Sequence, residues 1–401
     1  MSATAPDDVR AQSGIPWFMR TALERHCGEV HHLGPLQPWI ARPLRIASRV
    51  SRRLPRQHRF IDSNSEQLSR AYARLLSKRI ASSRPDDWLF APYASAEIAH
   101  LETSAPIVYY SDATFRIMCD YYPAFSGLSP RSRRAGDELE RRAIERATVA
   151  CFASDWAAAS AVRDYGAAAE KVVVVPMSAN FVAPPPLESL RFERTAERIR
   201  LLFIGVDWER KGGTVAVDAL SALRRMGVDA TLSIVGCVPP AHVRSPHVSM
   251  LGFLSKTDPR QQTVLDSLFR DSDFLIAPTR AECYGCVFVE AAAFALPSVV
   301  ANTGGVSTAV AGGASGVLLP PNATGDDYAE AIAGVLADGD RYRALRASAR
   351  QAYETLLSWE AWSRRLNQLT TTFRTNATHT VDVRATARSR TASVPSAARL
   401  H

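Results

Sequence analysis

The sequence predicts an α/β fold of two doubly wound domains, and three observations carry that prediction. From residue 200 onward, short β-rich runs alternate with helical segments, the pattern of βαβ units around a parallel sheet. The first half shows a weaker version of the same alternation. The length of 401 residues, with 46% hydrophobic and 22% charged side chains, suits two globular domains that each bury a sizeable core.

In the first half the pattern predicts a helix over residues 16–26, a short strand at 29–33, and strands at 88–91 and 107–111. A helix over 133–146, a strand at 148–153, a helix over 156–165 and a strand at 172–176 follow. Pro184-Pro185-Pro186 reads as a stiff linker between domains that open and close, and the boundary is placed near residue 190. In the second domain, residues 191–355, strands are predicted at 201–205, 231–236, 274–278, 298–301 and 316–319. The helices between them fall at 214–225, 261–270, 285–294 and 326–336, with further helix over 341–357 and 360–373. Residues 376–401, rich in Thr, Ala, Ser and Arg and without periodicity, are expected to be a disordered tail.

Charge is the most uneven feature. The chain holds 48 Lys and Arg against 40 Asp and Glu, a formal +8. Residues 41–80 alone contain ten Arg and Lys78 against Asp62 and Glu66, a local +9, so the remaining chain is close to neutral. One basic segment on a neutral body points to a local anionic partner, not to nucleic acid along the whole surface. Within residues 39–54, Trp39, Ile40, Leu44, Ile46, Val50 and Leu54 mix with Arg42, Arg45, Arg49, Arg52 and Arg53. Such a mixture suits either an anionic membrane leaflet or a solvated surface helix. A nucleic-acid reading has only this segment behind it, with no aromatic-interleaved basic stripe.

The six cysteines are scattered through the chain, which fits a reducing cytoplasm better than a disulfide framework. No leader-like opening and no run of about 18 uncharged apolar residues is present, so the chain is expected to be cytoplasmic, or peripheral at a membrane face.

The strongest chemical signal is Pro278-Thr279-Arg280-Ala281-Glu282-Cys283-Tyr284-Gly285-Cys286-Val287-Phe288-Val289-Glu290. It sets two carboxylates eight residues apart across a loop-to-helix junction. Glu290 sits in an otherwise apolar helix, where a lone carboxylate is costly unless it faces a cavity or a partner. The preceding strand places the loop at the carboxyl end of a parallel sheet, and the amides of Gly285, Cys286 and Val287 open a helix N-terminus suited to phosphate or sugar. The plainer alternative is that Glu290 pairs with a basic neighbour and Glu282 caps the helix. A second cluster, Gly205-Val206-Asp207-Trp208-Glu209-Arg210-Lys211-Gly212-Gly213, lacks the dinucleotide and P-loop glycine patterns. It offers instead an Arg–Lys pair on a glycine-rich turn, able to clamp a diphosphate. Cys283 and Cys286 form a C-x-x-C with no second pair, so filling of the loop is favoured over metal binding.

With these pieces in order, the sequence resembles the retaining nucleotide-sugar glycosyltransferases of the GT-B fold, family four. The matching residues are Ser154-Asp155-Trp156, Tyr165-Gly166, the Gly205 to Gly212 loop, Glu282 and Glu290, Gly304-Gly305-Val306, and Gly316-Val317-Leu318-Leu319-Pro320. The resemblance spans about residues 13–370 and is stronger in the second half. It implies two Rossmann-like domains facing a cleft, the donor held mainly by the second and the acceptor by the first. It further implies that Arg210 and Lys211 neutralise the departing diphosphate, that Glu282 and the amides after it hold the sugar, and that Glu290 binds the ribose. Gly205 and Gly305 would border the donor. Catalysis would be chiefly electrostatic, with configuration retained, a UDP- or GDP-linked sugar as donor, and neither cofactor nor metal. The acceptor would be a glycan or a lipid-linked hydroxyl, in bacterial surface polysaccharide or glycoconjugate synthesis. A segment over 356–375 would cross back to the first domain.

Four features depart from the pattern. Only six residues precede the loop 7–16, so the family's first strand is expected to be missing, and Gly14 stands as its substrate-loop glycine. Thr308 replaces the usual Glu after the glycine pair, and Ser178 replaces a Gly ahead of Asn180. Where relatives carry a His near the sugar, this chain has Tyr110-Ser111-Asp112-Ala113-Thr114. Asp112 could contact an acceptor or donor hydroxyl, or cap a helix. The alternative to a working transferase is a catalytically impaired module of the same fold that binds nucleotide sugar without turnover.

Overall fold

The computed structural model describes residues 14–51, 53, 58–81, 84, 87–181, 183–194, 197–241 and 243–373. The first domain holds a four-stranded parallel sheet in the spatial order β1 (Leu89–Pro92), β2 (Ile107–Ser111), β3 (Val149–Phe152), β4 (Val172–Val174). The second holds a six-stranded parallel sheet formed by β5 (Ile199–Ile204), β6 (Ala230–Val235), β7 (Val248–Gly252), β8 (Phe274–Ala277), β9 (Ser298–Ala301) and β10 (Gly316–Leu319). Its spatial order is β10-β9-β8-β5-β6-β7. β2, β3, β8 and β9 are buried along their whole length, because helices cover both faces of each sheet. The order reverses between β5 and β8, and open α/β sheets bind ligands outside the carboxyl ends of the strands at such a point.

The two domains share apolar packing. One cluster contains Val108, Tyr110 and Val149 of the first domain with Leu275, Tyr284 and Phe288 of the second. The chain crosses twice. After the first crossing it builds the second sheet and the helix Gly339–Ala352, passes through a π-helical turn at Tyr353–Leu357, and enters a helix over residues 359–373. That last helix lies on the first domain: Trp362 is fully buried with its ring edge-on to Phe90 and Tyr110, and Ser363 Oγ donates to the carbonyl of Ala22 at 3.3 Å. The two crossings also touch, for Trp359 Nε1 donates to the carbonyl of Ala179 at 2.8 Å.

The predicted strand at 29–33 is not formed. Residues 28–38 have no regular secondary structure, since Val30 and Leu33 alone supply apolar side chains between Gly28 and Gly34. β7 and the helix Glu66–Ile80 are additional to the predicted elements, and Ala41–Ser51 forms a helix within the 39–54 segment that the sequence reading leaves between a surface helix and a membrane contact. Among the described residues no strand precedes Leu89, and β1 forms one edge of its sheet. The loop before Gly14 and the tail from residue 376 lie outside the described residues.

Candidate active site

Two loops meet at the switch point. The one after β5 turns at Asp207, whose Oδ1 accepts from the Arg210 amide at 3.1 Å and so starts the one-turn helix Trp208–Lys211. Gly212 ends it at φ +75°, and any Cβ there would overlap the Pro278 carbonyl, so this close approach requires glycine. The loop after β8 is stitched alongside. Arg280 N donates to the Arg210 carbonyl at 2.8 Å, and the Thr279 hydroxyl donates to the same oxygen at 3.3 Å.

These stitches bring Arg210, Lys211 and Glu282 together from two loops. Lys211 Nζ forms an ion pair with Glu282 Oε2, and Arg210 Nη1 lies 3.8 Å from the same oxygen. Arg210 Nη1 also donates to the Ala281 carbonyl at 2.9 Å. All three side chains are largely buried, at 17%, 13% and 10% exposure for Arg210, Lys211 and Glu282. Gly205 lies against the Lys211 stem, and Gly305 against the Cys283 carbonyl, where a Cβ would clash. Gly285, at φ +93°, precedes the helix Cys286–Ala293, and no side chain caps that helix, so Glu282 serves the cations instead.

Glu290 is buried four residues into that helix, and its neighbours are defined. Lys256 forms an ion pair with it, and the Asn180 amide of the first crossing donates to Oε1 at 3.3 Å. The basic-neighbour arrangement is thus present, and Lys256 had no motif to announce it. Burial pushes the Cys286 thiol up to about 12 and Cys283 still higher, which makes both poor nucleophiles and fits a filling role.

The first domain closes over this cluster with Tyr121 and Tyr122. Tyr121 Oη accepts from the Glu282 amide at 2.9 Å and bonds the Thr303 hydroxyl at 3.0 Å. Tyr122 Oη accepts from Arg210 Nη1 and donates to Glu282 Oε1, each at 3.3 Å. Burial, followed by the charge of Glu282, raises its phenol well above the ordinary value, so it remains a neutral donor. Thr308 Oγ1 donates to Asp155 Oδ2 at 3.0 Å, a further bridge between the domains. Asp112 follows β2 at the carboxyl end of the first sheet. Burial pushes its carboxyl up to about 6, and the charge of Glu282 adds to the shift. It does not cap the next helix, Phe115–Met118, whose N-cap is Thr114. Gly14, at φ +84°, is the N-cap of the helix Ile15–His26, and no described contact joins it to the cluster. At the carboxyl ends of β5, β6 and β7, Val206, Val238 and Phe253 expose apolar side chains that the sequence reading does not single out.

Two Rossmann-like domains with their sheet ends facing one cleft define the GT-B architecture. Residues 198–338, most of the second domain, match the family model described as glycosyl transferases group 1. The D-inositol 3-phosphate glycosyltransferase of Jonesia denitrificans is 30% identical over 242 residues, covering 55% of this chain and 56% of that protein. The protein of the same name from Nocardia farcinica is 31% identical over 209 residues, covering 47% and 45%. The chain therefore spans about half the length of the curated relatives it matches. In fold it is similar to sucrose-phosphate synthase from Thermosynechococcus elongatus, with a TM-score of 0.54 and 18% identity over 78% of this chain and 79% of that one. It is similar also to Anabaena HepE, solved in complex with UDP, with a TM-score of 0.54 and 16% identity over 75% and 82%.

Proposed function

We propose that this chain is a glycosyltransferase that moves a sugar from a UDP- or GDP-linked donor to a hydroxyl acceptor with retention of configuration. The observation that carries the reading is the convergence of Arg210 and Lys211 on Glu282 at the switch point of the second sheet. Two fixed cations there suit a diphosphate that gains charge as the glycosidic bond breaks, and cations already in place lower that barrier without reorganising. Glu282 would accept from sugar hydroxyls, Glu290 from the ribose, and the amides of Cys286 and Val287 would add partial positive charge. Val206, Val238 and Phe253 offer an apolar rim for the nucleobase.

The acceptor would enter from the first domain, past Asp112. The relatives are named for D-inositol 3-phosphate, an anionic polyol, and an anionic or lipid-linked acceptor suits a domain that carries the basic segment. Among the described residues no helix is long and apolar enough to cross a membrane. The helix Ala41–Ser51 favours a peripheral contact instead. It turns Ser48 and Ser51 inward, where both hydroxyls donate to the Phe60 carbonyl, at 3.1 and 3.2 Å. Outward it shows Ile46 and Val50, each 56% exposed, beside the exposed Arg42, Arg45 and Arg49, with Trp39 86% exposed just ahead. Exposed apolar groups rimmed by arginines suit an anionic lipid surface in bacterial glycoconjugate synthesis.

The test is release of free nucleotide from UDP- and GDP-sugars in the presence of candidate acceptors. Lys211→Ala and Glu290→Ala should each lower transfer about a hundredfold or more in chains whose folded state is verified by a cooperative thermal melt. Wild-type turnover in both variants would overturn the assignment.

A further inference from the structure

The loop that carries Tyr122 is held from its own domain and reaches into the other. Asp120 takes φ +60°, a left-handed backbone uncommon for a residue other than glycine, and its carboxylate binds Arg133 at 2.6 Å and accepts from the Gly127 amide at 3.4 Å. Met118 Sδ lies 3.1 Å from Cys283 Sγ, and the Tyr121 ring packs 5.2 Å from that of Trp156. So anchored, the loop sets the Tyr122 ring under the Arg210 guanidinium, 5.0 Å from centroid to carbon, and its hydroxyl between Arg210 and Glu282. The Cys283 amide reaches the same hydroxyl at 3.4 Å.

One phenol oxygen thereby meets three kinds of group that a sugar diphosphate would meet: a guanidinium, a carboxylate and a loop amide. Its bonds are at the long end of the hydrogen-bond range and involve a neutral hydroxyl. A diphosphate offers the guanidinium a two-bond fork and an opposite formal charge, where the phenol offers one long bond to a neutral oxygen. The competition is therefore one that the ligand wins, at a cost set by the bonds it breaks.

We propose that Tyr122 is a placeholder for the donor, a positioning residue whose hydroxyl holds Arg210 and Glu282 in place until a nucleotide diphosphate displaces it from the first and a sugar hydroxyl from the second. The inference rests on the reading of this cluster as the donor site. Its consequence is that removing the phenol hydroxyl strengthens nucleotide binding, the opposite of what loss of a ligand contact or of a structural bond would do.

Titration calorimetry with inorganic pyrophosphate, UDP and GDP on the full chain tests it. Tyr122→Phe should bind pyrophosphate and the preferred nucleotide about three- to tenfold more tightly than wild type, the scale of one or two net hydrogen bonds released. Tyr122→Ala should bind at least as tightly as Tyr122→Phe. In both, KM for the donor should fall while kcat does not rise. Tyr121→Phe, which loses bonds to Thr303 and to the Glu282 backbone but frees no cation, should leave the pyrophosphate affinity where it is. Equal or weaker binding in both Tyr122 variants, with wild type binding normally, would overturn the placeholder alone. Wild type that binds none of the three ligands would overturn the donor-site reading and this inference with it.

Discussion

At Asp112 the position of one carboxylate sets a pH dependence. With its carboxyl pushed up to about 6, it is largely protonated below that value and can take up a proton from a hydroxyl, or hold one as a charged acceptor, only above it. If it orients a substrate hydroxyl, the transfer rate should rise with pH through an acidic limb near 6, and Asp112→Asn should lower the plateau and erase the limb. A limb that persists unchanged in the variant would remove Asp112 from the reaction. Residues of this kind differ in how far a sequence reveals them. Arg210, Lys211 and Glu282 are legible because paired cations on a glycine-rich turn, and a carboxylate just ahead of a helix, are local patterns whose glycines are themselves visible. Tyr122 and Lys256 are not, because each gains its meaning from a partner on another element, 88 residues away in sequence between Tyr122 and Arg210 and 34 between Lys256 and Glu290. No local pattern records such a meeting.

Among the elements, the helix Ala41–Ser51 departs in part from the usual amphipathic rule: Ala41 and Leu44 pack on the core together with the buried Ser48 and Ser51, while Ile46 and Val50 stand in solvent. Sedimentation with lipid vesicles checks what that face is for. The wild-type chain should bind anionic vesicles at low salt, release as salt rises, and bind neutral vesicles poorly. Reversing Arg42, Arg45 and Arg49 to Glu should lower the anionic-vesicle affinity at least a hundredfold, at about 1 kcal/mol per cation lost. No binding to anionic vesicles at low salt would leave this face as plain solvated surface. The same helix shows why patterning reads unevenly along the chain. β8 and β9 are buried on both sides and announce themselves as unbroken apolar runs, whereas β7 is an edge strand whose Ser249, Met250 and Leu251 are exposed. The helix Glu66–Ile80 did carry signals, Ser65 accepting from the Leu68 amide and buried Leu68, Tyr72 and Leu76 along one face. The strand expected at residues 29–33 had fewer supporting residues than that helix.

Two buried acids tie the stability of the whole molecule to pH. Glu97 and Glu140 lie in the first domain, and burial pushes each carboxyl up to about 7. For Glu140 the bond it accepts from Tyr109 Oη, at 2.8 Å, works against that shift without cancelling it. Each acid is protonated in the folded chain at pH values where the unfolded chain, near 4.5, has already released its proton. The folded state therefore binds more protons, and stability falls as pH rises from about 4.5 through 7. The melting temperature should be higher at pH 5 than at pH 8, and Glu97→Gln should reduce the difference. A melting temperature that is flat or rises over that interval would contradict the burial argument.

The two crossings between the domains limit how the cleft can work. The Trp359 indole is hydrogen-bonded to the carbonyl of Ala179, Tyr353 packs its ring 6.0 Å from that of Phe181, and Arg350 donates to the Pro185 carbonyl at 3.0 Å. A single flexible tether would leave one domain free to tumble about the other in three rotations. Two chain segments fastened side by side remove two of those rotations and leave a swing about the line that joins them. Any opening of the cleft would then follow one arc, and each return would bring Tyr122 back to the same two side chains.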